Sequence, residues 1–315
     1  MKTRRLLGVL MTAALVLLFF AGCHTENSEQ TETTDPAQTS QRSDIYRFED
    51  YENSEVFNIK KVDLSENYAR RCVSYNFDYL SDGLKIEGYL SIPLSFIETQ
   101  KPGKCILFNR GGNEHLGELE DETTAIVCSV FDRIVIASQY RGGGSSQGKD
   151  EYGGDDLHDV IKLIDLCENY FSFVDMDDFC AVGISRGGVM TYPAARQDKR
   201  IRRVICISAE SDLIDAYETR DDMKLVLLNA IGCSPEEDPA EYEKRSAMYW
   251  ADEIKVPVLL IHSRYDELVS YRQSEELYEK LKDSTDCTMI SYEDDKHCVI
   301  HPEDYQTIRD WLNQK

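Results

Sequence analysis

The stretch FCAVGISRGG, residues 179–188, decides the fold of this chain. Its first six residues form a continuous apolar run, which is typical of a strand buried on both faces of a parallel sheet. The glycines at positions 183 and 187 flank Ser185 in the pattern G-x-S-x-G. Where this pattern joins a strand to a helix, the turn is tight and holds the serine hydroxyl clear of the sheet. The stretch therefore predicts a nucleophile elbow with Ser185 as the nucleophile.

Similar apolar runs lie on both sides of this strand, with helical stretches between them. They are KCILFN (104–109), RIVIAS (133–138), RVICIS (203–208), PVLLIH (257–262) and CTMISY (287–292). Strands that alternate with helices predict a doubly wound, mostly parallel α/β sheet, and a nucleophile elbow within such a sheet is typical of the α/β-hydrolase fold. Residues 72–80 and 84–93, joined by a turn at 81–83, predict an antiparallel hairpin ahead of that sheet. We expect one catalytic domain over residues 45–315, with a small helical insertion at about 209–252.

Two later strands are followed by residues that could activate Ser185. The loops after the strands form the site in such a sheet, and a serine hydroxyl needs a base that an acid orients. Asp266 follows PVLLIH and His297 follows CTMISY, so the chain order Ser, Asp, His is the order of this fold. We expect Asp266 to be the orienting acid and His297 to be the base. Glu267 is the alternative acid, and His301, which could instead cap the last helix, is the alternative base.

An acyl-transfer site also needs two hydrogen-bond donors for the oxyanion that develops on the substrate. The backbone N–H of Arg186 directly follows the nucleophile and should lie at the positive end of the next helix. The second donor should come from the loop after KCILFN, which reads NRGGN (109–113). Adjacent glycines let the backbone approach a substrate carbonyl closely. Gly111 and Gly112 are the two alternatives for this donor.

These motifs together resemble the catalytic domain of the prolyl-oligopeptidase family of serine peptidases. The matching pieces are RGGN (110–113), YRGGG (140–144), GISRGG (183–188), HSRYD (262–266) and the final histidine followed by a helix. The resemblance implies Ser185, Asp266 and His297 as the triad, with Gly112 and Arg186 as the oxyanion donors. The first motif departs from the family's His-Gly-Gly-Pro at both ends, which leaves the choice between the two glycines open.

The predicted function is that of a serine hydrolase that works through an acyl-enzyme. The family resemblance implies a peptidase that acts on short peptides, although the residues alone equally fit a carboxylesterase of the same fold. A third hypothesis is a catalytically inactive lipoprotein that binds a ligand at the cell surface, but an intact triad argues against it. The family's peptidases usually carry an N-terminal β-propeller, which we do not expect in the short segment before the catalytic core.

The N-terminus predicts export and a lipid anchor. Three cations precede an apolar run over residues 6–21, which is shorter than the roughly 20 residues of a membrane-spanning helix. The run ends in FAGC, which resembles a bacterial lipobox, so Cys23 is expected to become the acylated first residue. Residues 1–22 are then a signal peptide, and residues 23–44 are a flexible polar stalk. The prediction is a lipoprotein outside the cytoplasmic membrane; a plain signal peptide and an uncleaved anchor are the alternatives.

Composition and incomplete motifs argue against several other functions. Lys and Arg total 35 against 58 Asp and Glu, and the net charge of −23 should repel nucleic acid. Residues 143–149 fit the phosphate-binding pattern G-x-x-x-x-G-K, but Asp150 stands where a hydroxyl would bind magnesium, so no nucleotide is expected. His297 and His301 have the spacing of a zinc pair, but no Glu lies between them and a proline follows. The other nine cysteines besides Cys23 form no CxxC pair. No metal or cofactor is therefore expected.

Overall fold

The structure is a computed structural model that describes residues 47–99 and 101–314. Its strands are β1 (Val56–Lys61), β2 (Cys72–Ser81), β3 (Leu84–Pro93), β4 (Gly103–Asn109), β5 (Ile134–Ser138), β6 (Val174–Ile184), β7 (Arg203–Ile207), β8 (Val258–Ser263) and β9 (Cys287–Tyr292). They form one sheet in the order β1-β2-β3-β5-β4-β6-β7-β8-β9. The first three strands pair antiparallel, β3 joins β5 antiparallel, and β4 to β9 run parallel. The mostly parallel α/β sheet predicted from the apolar runs is confirmed.

Helices cover both faces of this sheet, because the strand side chains alternate between two apolar clusters. The α-helices are α1 (Glu66–Ala69), α2 (Leu94–Thr99), α3 (Thr123–Phe131), α4 (Asp156–Asn169), α5 (Gly187–Gln197), α6 (Leu213–Thr219), α7 (Asp221–Ile231), α8 (Pro239–Glu243), α9 (Tyr271–Leu281) and α10 (Tyr305–Leu312). Short 3₁₀ helices span Phe48–Tyr51, Ala247–Tyr249, Ala251–Glu253 and Pro302–Asp304. Leu107 of β4 packs in a cluster with α4, α5 and α9, whereas its neighbour Ile106 packs with α3 and α10. This is the doubly wound arrangement.

The predicted hairpin is present, with a tighter turn than expected. β2 and β3 pair over ten residues, from Cys72 opposite Pro93 to Ser81 opposite Leu84. The turn therefore contains two residues, Asp82 and Gly83, with φ of +51° and +77°. Two positive φ values are the signature of a type I′ turn, which suits the twist of a hairpin. β1, which the sequence did not reveal, extends the hairpin to three antiparallel strands.

The segment predicted as an insertion is helical. It holds α6, α7 and α8, and it packs on the body through an apolar cluster that includes Val189 of α5, Leu213, Leu227 and Tyr242. The insertion therefore lies over the first turns of α5, next to the loop that follows β7.

Both ends of the described chain lie at the edge where the parallel strands begin. Near the C-terminus, Arg133 donates to Leu312 O at 2.8 Å, and Arg133 directly precedes β5. Near the other end, the Phe48 ring lies 5.1 Å from the ring of Phe171, which precedes β6. The opposite edge, where the parallel strands end, carries the loops of the candidate site.

The predictions for the N-terminus fall outside the described residues. These are the signal peptide over 1–22, the stalk over 23–44, the lipid-bearing Cys23 and the first two residues of the predicted catalytic domain. Among residues 47–99 and 101–314, no helix combines the length and the hydropathy needed to cross a membrane.

Candidate active site

Ser185 lies in a left-handed turn between β6 and α5. Its φ is +52°, a conformation that is costly for a residue with a side chain and that its surroundings must hold in place. The Ser185 N–H donates to Ile207 O, and the Ser185 carbonyl accepts from Gly188 N and Glu210 N, each at 3.0 Å. These bonds tie the turn to α5 and to the end of β7. The structure thus places Ser185 in the tight strand-to-helix turn that the motif predicts.

Close packing explains the glycines of the motif. A Cβ on Gly187 would lie 2.1 Å from Asn109 O, and a Cβ on Gly183 would lie 2.3 Å from Thr191 Oγ1. Both distances are far below van der Waals contact, so a side chain at either position would force the backbone to move. The two glycines let the first turn of α5 sit directly on the ends of β4 and β6.

Asp266 and His297 form a hydrogen-bonded pair. Asp266 lies in the loop after β8 and His297 in the loop after β9, and Asp266 Oδ2 is 2.7 Å from His297 Nδ1. The other carboxylate oxygen, Oδ1, accepts from the N–H groups of Leu268 at 2.9 Å and Val269 at 3.1 Å. A second ring, that of His262, places Nε2 at 3.3 Å from Asp266 Oδ2. The carboxylate is therefore fixed from three directions.

Burial, hydrogen bonds and neighbouring charges together shift the pKa values of this pair. Burial alone would raise the pKa of Asp266, but hydrogen bonds from His262 and His297 hold that pKa well below its usual range. Burial disfavours a charged His297 ring, but the adjacent Cys298 and the Asp266 carboxylate outweigh it and raise the pKa of His297 above its usual range. Because Nδ1–H donates to Asp266, Nε2 is the nitrogen of the neutral ring that can accept a proton.

Ser185 and His297 converge on the end of β7. The Ser185 N–H binds Ile207 O, while the Cys298 N–H donates to Ser208 Oγ at 3.1 Å. Since Ile207 and Ser208 are consecutive, the serine turn and the histidine loop share one anchor. The structure brings the three predicted triad residues to the same edge of the sheet.

The alternative acid and base make other contacts. His301 Nε2 pairs with Asp294 Oδ2 at 2.7 Å, and the His301 ring stacks on Tyr292 with centroids 3.8 Å apart. His301 occupies the N-cap position of the Pro302–Asp304 helix, but its side chain forms no capping hydrogen bond there. Glu267 is exposed, and the carboxylate that contacts His297 is that of Asp266.

The predicted oxyanion donors lie beside the nucleophile. A Cβ on Gly111 would be 3.1 Å from Ser185 Cβ, so Gly111 packs directly against the serine. Gly112 has a φ of +69°, and a Cβ there would meet Leu116 O at 2.0 Å, so only glycine fits. Arg186 is the N-cap residue of α5. Both glycines remain candidates for the second donor.

The Arg186 side chain makes contacts that the sequence did not reveal. It is buried, and its guanidinium binds Asp150 at 2.5 and 2.6 Å and Asp156 at 2.6 Å. It also donates to Gly112 O at 3.0 Å and lies over the Tyr152 ring, 4.7 Å from the centroid. One side chain thus connects the serine turn, the glycine loop and the segment before α4. Asp150, which argues against a nucleotide site in the sequence, is one of its partners.

A cavity of about 480 Å³ lies beside the Asp266 loop. Its lining combines side chains of that loop, of α9 and of the helical insertion, including Glu210, Arg220, Asp266, Leu268, Val269 and Tyr271. One lining residue, Glu210, is hydrogen-bonded to the serine turn through its backbone N–H, which donates to Ser185 O. The sequence does not single out Glu210, because one acid among 58 carries no motif.

The chain matches the family model described as the prolyl oligopeptidase family over residues 122–315. This match covers more than half of the chain and includes Ser185, Asp266 and His297. The chain belongs to the prolyl oligopeptidase family. It is therefore an enzyme of the serine hydrolase class, and the resemblance drawn from its motifs is confirmed.

Curated relatives of this family member agree with the assignment. It is 31% identical over 211 residues to the uncharacterized peptidase YtmA of Bacillus subtilis (strain 168), covering 66% of this chain and 79% of the relative. It is 21% identical over 172 residues to dipeptidyl-peptidase 5 of Schizosaccharomyces pombe, covering 51% of this chain and 25% of the relative. The enzyme thus spans most of the first relative and about a quarter of the second.

Solved structures share the fold of this family member. Acylaminoacyl peptidase of Pyrococcus horikoshii superposes with a TM-score of 0.66 at 20% identity, over 81% of this chain and 45% of that one. Acetyl xylan esterase 1 of Thermoanaerobacterium sp. superposes with a TM-score of 0.60 at 16% identity, over 88% of this chain and 93% of that one. These likenesses confirm the α/β-hydrolase fold.

This prolyl-oligopeptidase-family enzyme departs from the family's His-Gly-Gly-Pro at Arg110. The Arg110 side chain is buried, and burial together with the nearby Arg186 lowers the pKa of its guanidinium to about 10. It donates to backbone carbonyls, among them Gly111 O at 3.0 Å, Glu114 O at 3.1 Å and Gln139 O at 3.0 Å. Arg110 thus ties the glycine loop to the segment that follows β5.

Proposed function

We propose that this enzyme is a serine peptidase that cleaves short peptides, with Ser185, His297 and Asp266 as its catalytic triad. The observation that carries the proposal is the meeting of two features at one edge of the sheet. One is the strained turn at Ser185, and the other is the 2.7 Å pair between Asp266 and His297. The name of the relative YtmA, an uncharacterized peptidase, supports the choice of peptide substrates.

The proposed reaction proceeds through an acyl-enzyme. His297 Nε2 accepts the hydroxyl proton as Ser185 Oγ attacks the carbonyl carbon, and the C=O electron pair moves onto the oxygen. The adduct collapses, the C–N bond breaks, and the amine leaves with the proton from His297. Water then gives a proton to His297 and attacks the acyl group, and that proton returns to Ser185 Oγ. Asp266 stays ionised and stabilises the imidazolium.

Backbone donors stabilise the charge on the substrate oxygen in both halves of this reaction. The Arg186 N–H follows the nucleophile at the start of α5, and the second donor is the N–H of Gly111 or Gly112. Arg110 and the Arg186 side chain hold the glycine loop through its carbonyls, so the donors are positioned before the substrate arrives.

Covalent labelling tests the nucleophile. A fluorophosphonate probe should modify the protein once, at Ser185, because the triad activates that hydroxyl. Ser185→Ala should abolish labelling and hydrolysis while the protein keeps its thermal unfolding temperature. Mass spectrometry of the labelled peptide gives the site, and undiminished labelling of Ser185→Ala would contradict the assignment.

A carboxylesterase is the second candidate, because the same triad can expel an alcohol as well as an amine. The acetyl xylan esterase neighbour shows that the fold occurs in an esterase of similar length. Turnover of p-nitrophenyl acetate should occur in either case, since ester acyl transfer has the lower intrinsic barrier. Aminoacyl and dipeptidyl p-nitroanilides separate the two: we expect some to be cleaved through Ser185. If esters react and every amide is inert, the enzyme is an esterase.

The enzyme is also proposed to be a lipoprotein. The sequence of residues 1–22 has the pattern of a bacterial export signal, and it ends at Cys23 in a lipobox-like motif. Acyl chains on Cys23 would hold the catalytic domain at the outer side of the cytoplasmic membrane, with residues 23–44 as the spacer.

A further inference from the structure

Glu210 is a buried carboxylate that the triad chemistry does not use. It is 2% exposed and borders the cavity beside the Asp266 loop. One oxygen, Oε2, accepts from the Tyr152 hydroxyl at 2.7 Å. The other, Oε1, lies 3.6 Å from Arg220 Nη1, which is too long for a hydrogen bond. Within the part of the chain that the structure describes, one Glu210 oxygen is hydrogen-bonded to Tyr152, and the other has the more distant Arg220 guanidinium as its ion-pair partner.

Arg220 is shared between this buried carboxylate and an exposed one. Its Nη2 binds Asp222 Oδ2 at 2.6 Å, and Asp222 is mostly solvent-exposed. Both Arg220 and Glu210 line the cavity, and Arg220 lies in the helical insertion that covers it. The Arg220 guanidinium therefore occupies the position in the cavity from which a cationic ligand would contact Glu210.

The position of Glu210 beside the nucleophile indicates which part of a substrate would carry such a cation. The Glu210 N–H binds Ser185 O at 3.0 Å, so its backbone is in contact with the serine turn. A long side chain on the residue that carries the attacked carbonyl could extend from Ser185 into the same cavity. Burial raises the pKa of Glu210, with Tyr152 and Arg220 opposing that shift, so a cationic ligand would favour its ionised form.

We propose that Glu210 selects substrates whose acyl residue carries a cationic side chain, such as lysine or arginine, and that Arg220 occupies this subsite when no substrate is bound. This inference rests on the proposed function, because it places the subsite next to Ser185. An incoming lysine or arginine would take the Glu210 Oε1 contact, and Arg220 would keep its bond to Asp222. Arg220 is thus an internal competitor of the substrate.

Two matched esters measure this selectivity whether or not the enzyme cleaves amides. They are the 4-nitrophenyl esters of Nα-acetyl-lysine and Nα-acetyl-norleucine, which differ in the terminal charge. We expect kcat/KM of the enzyme to be at least about tenfold higher for the lysine ester, as a charge-assisted contact would give. Glu210→Gln should bring the ratio close to one, mainly through the lysine ester.

Two further variants separate this role from general electrostatics. Arg220→Ala removes the competitor and should increase the preference for the lysine ester, the opposite of the change in Glu210→Gln. Glu276→Gln removes the same charge from the exposed side of α9 and should retain the lysine preference of the unmodified enzyme.

Each remaining outcome overturns the inference in a recognisable way. Equal kcat/KM for the two esters in the unmodified enzyme would rule out cation selection. A loss of both esters to the same extent in Glu210→Gln would make Glu210 a structural residue. If Ser185→Ala still hydrolyses the esters and fluorophosphonate labels another residue, it is the proposed function that fails.

Discussion

Asp266 shows how much of the site depends on the contacts of one side chain. Its carboxylate accepts hydrogen bonds from two backbone N–H groups and contacts two histidine rings. The same contacts hold the carboxylate in place and keep it ionised. His262 is oriented in turn by Ser274 Oγ, 2.7 Å from its Nδ1, and by Val269 O, 3.0 Å from its Nε2. Ser274 and Val269 therefore influence the alignment of His297 through His262 and Asp266.

The raised pKa of His297 predicts the pH dependence of catalysis. His297 accepts the serine proton only when neutral, and Asp266 favours its protonated form, so the rise of kcat/KM with pH should have its midpoint above about 6.5. Asp266→Asn removes the negative charge, which should move the midpoint to lower pH and reduce the plateau by about 10⁴-fold. Hydrolysis of p-nitrophenyl acetate between about pH 5 and 10 measures both effects.

Asp294→Asn is the matched control for that experiment. It removes the carboxylate that pairs with His301 and should leave the profile of kcat/KM unchanged. If Asp294→Asn shifts the midpoint and Asp266→Asn does not, His301 is the base.

At this scale, the sequence predicted the functional residues that belong to a recognisable motif. It did not predict the residues whose roles depend on tertiary contacts. Ser185, Asp266 and His297 could be named because each follows a recognisable strand in a known order. The partnership of Arg186 with Asp150 crosses 36 positions between two loops, and no local pattern marks it. The contacts of Glu210 and His262 could not be predicted for the same reason, although His262 belongs to the HSRYD motif, since these contacts depend on which residues folding brings together.

Among the elements, the accuracy of prediction followed burial. Five of the six parallel strands, β4 to β8, lie inside the sheet and are largely buried, so each is an apolar run that the sequence displays. The sixth, β9, is an edge strand in which Tyr292 is the buried residue, and its apolar composition alone made it recognisable. β1 is an edge strand, and its pairing with β2 shifts register between Phe57 and Lys60. Asn58, inside that irregularity, has a φ of +53°. The bulge interrupts the alternation by which a strand is recognised, so β1 carried no readable signal.

The contact between α5 and the segment before α4 should contribute strongly to stability. Asp150→Asn leaves the buried Arg186 with one carboxylate, and breaking such a pair is expected to lower the free energy of unfolding by about 3–5 kcal/mol. Glu253→Gln removes the half-exposed partner of Arg196 and should cost less than about 1 kcal/mol. Urea unfolding followed by fluorescence compares the two, and similar small losses would show that the buried pair adds no stability.

For the whole molecule, the proposed lipid anchor predicts where the enzyme is found. Several acyl chains on Cys23 would hold the protein firmly, whereas a single chain would bind marginally. Cys23→Ser should therefore move the enzyme from the membrane fraction to the soluble fraction, or leave it unprocessed, while the purified protein keeps its ester hydrolysis. Fractionation followed by immunoblotting measures this, and firm attachment of Cys23→Ser would indicate an uncleaved hydrophobic anchor.

Both described chain ends lie at the edge of the sheet where the parallel strands begin. This placement determines the orientation of the enzyme when it is immobilised through its C-terminus. Phe48 packs beside Phe171, and Arg133 holds the Leu312 carbonyl, while Ser185 lies at the far edge of the same strands. A bead or surface that captures the protein by a tag at its C-terminus would therefore leave the catalytic opening toward bulk liquid. Immobilised in this way, the enzyme should hydrolyse p-nitrophenyl acetate with nearly the same kcat/KM as the free enzyme in solution.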